Sequence, residues 1–340
     1  MFFRSLVIAV CLYALSFPLR AENWPHFRGP VLPFILLNGS SLSLADENDA
    51  RLEKRIAELE AENVALRKII ANIQNAVKSV PDSAGPNSAD TTQLRIIVLP
   101  GDWGESELAD IQKVCESAAA MLMTHLPDDD FAPIMVQHDN SGPITLYRRG
   151  QGNEYIVKLD TSDRAWAQLA FQFAHEFCHV ICNYRDVTNQ QLWFEETLCE
   201  CASLYALKQM AIEWKTNAPY SNWKSYASSL GDYADDRISA HAGSDDSVAQ
   251  FYQANQTELY KTGTNRDLNT YLALRLLPLF EATPTAWQAL RYLNLGPAKE
   301  NVSFKAYLKG WHDRAPKKHR AFIRQIATEF DLKLTGGNAR

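Results

Sequence analysis

Residues 164–182 read RAWAQLAFQFAHEFCHVIC, and most of these positions carry Ala, Trp, Leu, Phe, Val or Ile. The run begins just after Thr161-Ser162-Asp163, residue types that start helices, and is long enough to be a helix rather than a strand. Beyond Arg164 its polar residues are Gln168, Gln172, His175, Glu176 and His179, whose steps of three and four put them on one stripe. A helix that is apolar elsewhere is buried, so a polar stripe along it should line a cavity. The stripe contains His175-Glu176-Phe177-Cys178-His179, an HExxH motif. With 8 His and 19 Glu in 340 residues, random placement gives about 0.01 such matches, so coincidence is a weak explanation. A spacing of four puts both imidazoles on one helical face and holds Glu176 beside whatever they bind. The structural alternative is a pair of hydrogen-bonded core histidines.

A metal site with three protein ligands and an open position needs one more donor. Trp193-Phe194-Glu195-Glu196-Thr197-Leu198-Cys199-Glu200, on the next helical stretch, offers it. Glu196 lies 17 positions after His179, which leaves room for a turn and a second helix packed on the first. Glu200 falls one turn later on the same face, where it can accept the outer N–H of a liganding imidazole; it is also the alternative ligand. Glu195 points about 100° away and reads as solvated or as an ion-pair partner. Cys182, three residues beyond His179, makes a His175, His179 and Cys182 set a further alternative.

Together these motifs resemble the gluzincin metallopeptidases, which pair HExxH with a downstream helix carrying a glutamate ligand, often in a Trp-aromatic-x-Glu context like Trp193-Phe194-Glu195-Glu196. The resemblance covers residues 154–210 and implies a zincin-like fold acting on a peptide or protein. It further implies that His175, His179 and Glu196 bind Zn2+ while Glu176 is the general base. The chain departs from the family pattern at Thr197 and Cys199, where a small Gly and Ala are usual, and this keeps Glu200 in play as a ligand. Family enzymes stabilise the oxyanion with a Tyr or His from a later helix; Tyr260 and Tyr271 are the candidates, with plain packing as the other reading. The segment from Gly152 to Leu159 sits where the family carries an edge strand able to pair with an extended peptide, an interior strand being the alternative.

Ahead of the motif, Arg95 to Leu99, Ile134 to Gln137, Ile144 to Arg148 and Glu154 to Leu159 read as strands. Leu108 to Leu122 reads as a helix with Ser106 as its N-cap. After Asp160 the pattern stays helical, so residues 94–340 form an α+β domain with a small mixed sheet and a mostly helical C-terminal half.

Residues 79–93 are rich in Pro, Gly, Ser, Asn and Asp and read as a linker. Before it, Leu52, Ile56, Leu59, Asn63, Leu66, Ile70, Ile73 and Val77 keep heptad spacing, so residues 46–78 read as a coiled coil forming a parallel homodimer, or else as a lone amphipathic helix. Arg4, the apolar run Leu6 to Leu15 and Leu19-Arg20-Ala21 have the layout of a signal peptide over residues 1–21, and a second apolar run allows it to extend to 45. Secretion or periplasmic export follows. Neither run reaches the roughly 18 to 20 apolar residues of a full span, although an uncleaved first run can act as an N-terminal anchor; no obligate membrane partner is implied.

The net charge of -6 argues against nucleic acid as a partner. Cys115, Cys178, Cys182, Cys199 and Cys201 remain once Cys11 is removed, so one is unpaired. A bridge from the first site helix to Cys199 or Cys201 would fasten the two ligand-bearing helices; buried thiols are the alternative. Two functions compete: an active zinc peptidase, and an exported coiled-coil scaffold whose zincin domain is structural or inactive.

Overall fold

In the computed structural model, which describes residues 94–334 apart from 128, 187–189, 242–245 and 298–300, together with residues 54, 55 and 57, four short strands form one mixed sheet. The chain divides into two compact units, Met1–Asn87 and Ser88–Arg340, and everything below concerns the second. The expected signal segment, coiled coil and linker lie outside the described residues, except that residues 54, 55 and 57 are helical. No helix among the described residues is long and apolar enough to cross a membrane.

The strands are β1 (Ile96–Val98), β2 (Ile134–His138), β3 (Ile144–Leu146) and β4 (Tyr155–Leu159), in the spatial order β1-β2-β4-β3. β1, β2 and β4 run parallel, while β3 is antiparallel to β4 and forms an edge. Alternate residues Ile96, Val98, Ile134, Val136, Val157 and Leu159 are buried, as a pleat with one face on the core requires. Helix α1 (Leu108–Met123) makes the crossover between β1 and β2 and buries Ile111, Val114, Cys115, Ala118 and Leu122. Ser106 does not cap α1: its hydroxyl donates to the Asp163 carbonyl, and Asp163 Oδ1 accepts from the Glu105 N–H at 2.9 Å. These bonds tie the loop before α1 to the loop before the motif helix instead.

The segment read as a substrate-facing edge strand is β4, which lies inside the sheet between β2 and β3. The edge role passes to β3. A turn in which Asp139 Oδ1 accepts the Ser141 N–H at 2.9 Å, followed by Gly142 at φ 105°, swings the chain outward before it returns.

The motif helix is α2 (Trp166–Ile181), followed by α3 (Leu192–Asn217), α4 (Ala227–Ala240), α5 (Val248–Lys261), α6 (Arg266–Ala282), α7 (Phe304–Arg314) and α8 (Lys317–Glu329). Residues 197–207 of α3 are buried without a break, so α3 is a core helix, packed by α1, α2, α4 and α6. Small side chains let α2 and α3 approach closely: Ser203 Oγ donates to the Phe171 carbonyl at 2.9 Å and Cys178 Sγ reaches the Leu198 carbonyl at 3.6 Å. At the N-terminal end of α3, the Trp193 ring lies 4.7 Å from that of Phe304 and 5.3 Å from that of Tyr252. This aromatic cluster clamps the turn of α3 that bears the site.

Trp193→Ala should lower stability by about 3–5 kcal/mol in urea unfolding, the usual cost of emptying a fully buried aromatic site. Tyr147→Ala, at a residue 52% exposed, should change it by less than about 0.5 kcal/mol. A small effect at Trp193 would mean that the cluster is not the anchor of α3.

Candidate metal centre

His175 and His179 stand one turn apart on α2, with ring centroids 5.2 Å apart. From α3, Glu196 faces both of them: its Oε2 is 3.2 Å from His175 Nε2 and its Oε1 is 3.6 Å from His179 Nε2. One carboxylate therefore spans two imidazole nitrogens that point the same way. The outer nitrogens have acidic neighbours of their own. His179 Nδ1 meets Glu195 Oε1 at 2.8 Å, and Glu200 Oε2 lies 3.8 Å from His175 Nδ1, beside the nitrogen assigned to it but beyond hydrogen-bond reach.

Of the two readings of Glu195, the structure gives the ion-pair partner and not the solvated side chain. It is 4% exposed, and its Oε2 accepts from Asn294 Nδ2 at 2.7 Å, while Asn294 Oδ1 accepts from the Tyr307 hydroxyl at 3.0 Å. Because this part of α3 is enclosed by its neighbours, the position 100° from Glu196 faces protein rather than water, and the predominance of apolar and small residues from Leu198 to Leu207 was the signal for that. Asn294 and Tyr307 sit far along the chain with no motif to mark them. On the other side, Glu200 Oε1 accepts from Thr270 Oγ1 at 3.0 Å.

Glu176 is buried between α2 and the edge strand. The Thr145 hydroxyl of β3 lies 2.8 Å from Glu176 Oε2 and 3.0 Å from the Glu176 carbonyl, so its single proton ties the side chain down on one oxygen. His175, Glu176, His179, Glu196 and Glu200 all line one cavity of about 380 Å³, whose rim on the β3 side carries Ile144 and Tyr147. Tyr260 and Tyr271 are not in that lining. The Tyr260 hydroxyl meets that of Tyr252 at 2.7 Å, and the Tyr271 hydroxyl donates to the Asp246 carbonyl at 3.1 Å with its ring stacked on Phe251. Both serve helix packing.

A metal ion can be held here by a cluster of His175, His179 and Cys199, whose ligand atoms lie within 4.8 Å of one another. Cys199 is fully buried and outside the cavity lining, and burial raises its thiol, which opposes the thiolate that a metal needs. All five described cysteines are free and buried. The bridge between α2 and α3 is thus absent and the alternative of buried, unbridged cysteines holds; Cys178 is hydrogen-bonded with Cys182 and Cys199, and side-chain packing fastens the helices.

The electrostatics call for a cation. Burial alone would lower the His179 pKa, yet the Glu195 hydrogen bond and the charges of Glu196 and Glu176 raise it to about 10. His175 is raised as well, with burial again outweighed by Glu196 and Glu176. Burial pushes the Glu196 carboxyl up, but the His175 hydrogen bond and the His179 charge hold it below its ordinary value. Without a metal, protons on the imidazoles balance the surrounding carboxylates. No protein family, curated protein or solved structure matches the chain.

Two outcomes follow for the purified protein titrated with Zn2+. A metal must displace protons from His175 and His179, whose metal-free pKa values are raised, so affinity should rise with pH through neutrality. Calorimetry in buffers of different ionisation enthalpy should show net proton release at pH 7; the absence of release would mean that these imidazoles are not the ligands. Glu195→Gln, which weakens the acceptor on His179 Nδ1, should loosen zinc by about 10- to 100-fold in chelator competition.

Proposed function

We propose that the chain is a zinc-dependent peptidase in which His175, His179 and Glu196 hold the metal and Glu176 is the general base. The observation that carries this reading is the single Glu196 carboxylate facing both imidazole Nε2 atoms, 3.2 and 3.6 Å away, in the same cavity as Glu176. The residues fit Zn2+. Two imidazoles and a carboxylate are a donor set that zinc favours, the outer nitrogens have acidic neighbours, and the imidazoles bind protons tightly in its absence. Glu196 is the third ligand in preference to Cys199 because it lines the cavity, where a substrate can reach the fourth position. When bound, zinc supplies a Lewis acid that acidifies water and polarises a carbonyl.

The remaining work falls to the chain's own groups. Thr145 holds Glu176 Oε2, which leaves Oε1 to take a proton from attacking water and pass it to the departing amine. Edge strand β3 supports a peptide as substrate, since Ile144 and Thr145 line the cavity and an extended backbone can add beside a strand edge. Export and parallel dimerisation through residues 46–78 belong to the same proposal and rest on the sequence pattern alone.

Glu176→Gln preserves shape but cannot accept a proton, so kcat should fall by at least about 100-fold with zinc content near wild type. His179→Ala should lose zinc and activity together. Substantial zinc loss in the Gln variant would put Glu176 among the ligands, and undiminished hydrolysis would remove it from the chemistry. Zinc-loaded wild-type protein without turnover on any peptide would favour the scaffold reading.

A further inference from the structure

The cavity has two unlike walls. On the β3 side, Ile144 and Tyr147 are 46% and 52% exposed, and the Tyr147 ring stacks on that of Tyr184 at 5.7 Å. From α4 and α6, Arg237 and Arg266 bring guanidinium groups to the lining, and Arg185, next to Tyr184 and donating to the Gly296 carbonyl, brings a third. Between the walls run the centre's own contacts, from Thr145 through Glu176 and the imidazoles to Glu196 and Glu200.

Arg237 is held in place by its neighbours. Its guanidinium lies 4.0 Å above the Phe171 ring and donates from Nη2 to the Tyr233 hydroxyl at 3.1 Å. Nη1 is 3.9 Å from Glu200 Oε1, too far for a hydrogen bond, and the buried Nε has no partner among the described residues. A charge this poorly paired, on a side chain still 31% exposed, retains donor capacity towards the cavity. Arg266, the first residue of α6, is exposed and makes no hydrogen bond or ion pair among the described residues. It is near enough for its charge to act on Glu196. Glu200 Oε1 pairs loosely with Arg237 at 3.9 Å while accepting from Thr270, and the oxygens of Glu196 face the two imidazoles, so Arg266 has no carboxylate within ion-pair distance among the described residues.

We propose that Arg266, supported by Arg237, forms a subsite for a substrate carboxylate, so that the preferred peptides carry an acidic group on one side of the scissile bond and meet the aromatic wall on the other. This rests on the peptidase reading of the same cavity. A guanidinium offers paired donors whose fork matches the two oxygens of a carboxylate. Either an Asp or Glu side chain or a C-terminal carboxylate supplies this chemistry.

The test uses acetylated hexa-alanine peptides in which one Ala at a time becomes Glu, Gln or Lys, each made as the free acid and as the C-terminal amide. Binding is measured by calorimetry on the zinc-loaded full-length Glu176→Gln protein, and hydrolysis on the zinc-loaded wild type. Glu at a preferred position, or the free carboxylate, should tighten binding by about tenfold over the Gln or amide counterpart, the size of one favourable charged hydrogen-bonded contact. A preference kept by the amide series identifies the side chain as the source, and one confined to the free acids identifies the C-terminus. Adding Arg266→Glu should abolish that preference or turn it towards Lys, and Arg266→Gln should abolish it without reversal. Binding indifferent to peptide charge, or a preference untouched by both Arg266 substitutions, would overturn the subsite even if the wild type hydrolyses the peptides. Arg266-dependent binding with no hydrolysis would keep the subsite and defeat the peptidase reading.

Discussion

Glu196 facing two imidazoles is the contact on which the rest of the structure depends. It requires α2 and α3 to lie close enough for a short carboxylate to span both rings, and it places Glu176, Glu195, Glu196 and Glu200 around one pair of histidines. Buried charges persist only when they are paired and hydrogen-bonded. The fold supplies that support from every side: Thr145 from the sheet edge, Asn294 with Tyr307 behind it, and Thr270 from α6. Elements far apart in sequence are thus committed to one small volume, and the central position of α3 follows from having to serve all of them.

Much of this could be read from the chain itself. The strands and the first two helices fall within a few residues of their expected places, because alternating β-branched runs and a 3.6-residue apolar period are local signals. His175, Glu176, His179 and Glu196 come together for the same reason, since helical spacing and one tight connection relate them. What stayed hidden depends on non-local packing. Whether β3 or β4 is the edge is decided by strand order, which neither strand encodes. Which of its two readings Glu195 follows, solvated or ion-paired, depends on what encloses α3, and the structure pairs it with His179. Tyr260 and Tyr271 are picked out by residue type alone, and they lie outside the cavity lining with their hydroxyls at the Tyr252 hydroxyl and the Asp246 carbonyl.

The cysteines show how a residue that suggests one chemistry can serve another. Cys178 and Cys199 lie at the contact of α2 with α3, where larger side chains would force the helices apart. Both are buried, small and unbridged, which is what the close contact requires, and burial raises the Cys182 and Cys199 thiols. Thr197 and Ser203 play a comparable part, returning their hydroxyls to the carbonyls of Trp193 and Phe171 so that a polar side chain can sit in the contact unpenalised. Thr197 and Cys199 therefore concern how α3 is packed, while Glu196 and Glu200 face the cavity.

Surrounding a metal site with carboxylates also sets the character of the cavity around it. Each added acid strengthens the hold on a dication but repels an anionic substrate, so a site built only from the ligands and their acidic partners would favour cationic ligands. Arg237 and Arg266 change that balance on one wall without competing for the metal, because a guanidinium is permanently charged and has no lone pair to donate. Stacking Arg237 on Phe171 keeps its charge near Glu200 without a close pairing that would neutralise both. In the proposed reading, the metal ligands come from α2 and α3 and the arginines from α4 and α6, so a change at an arginine leaves the geometry around His175 and His179 as it is.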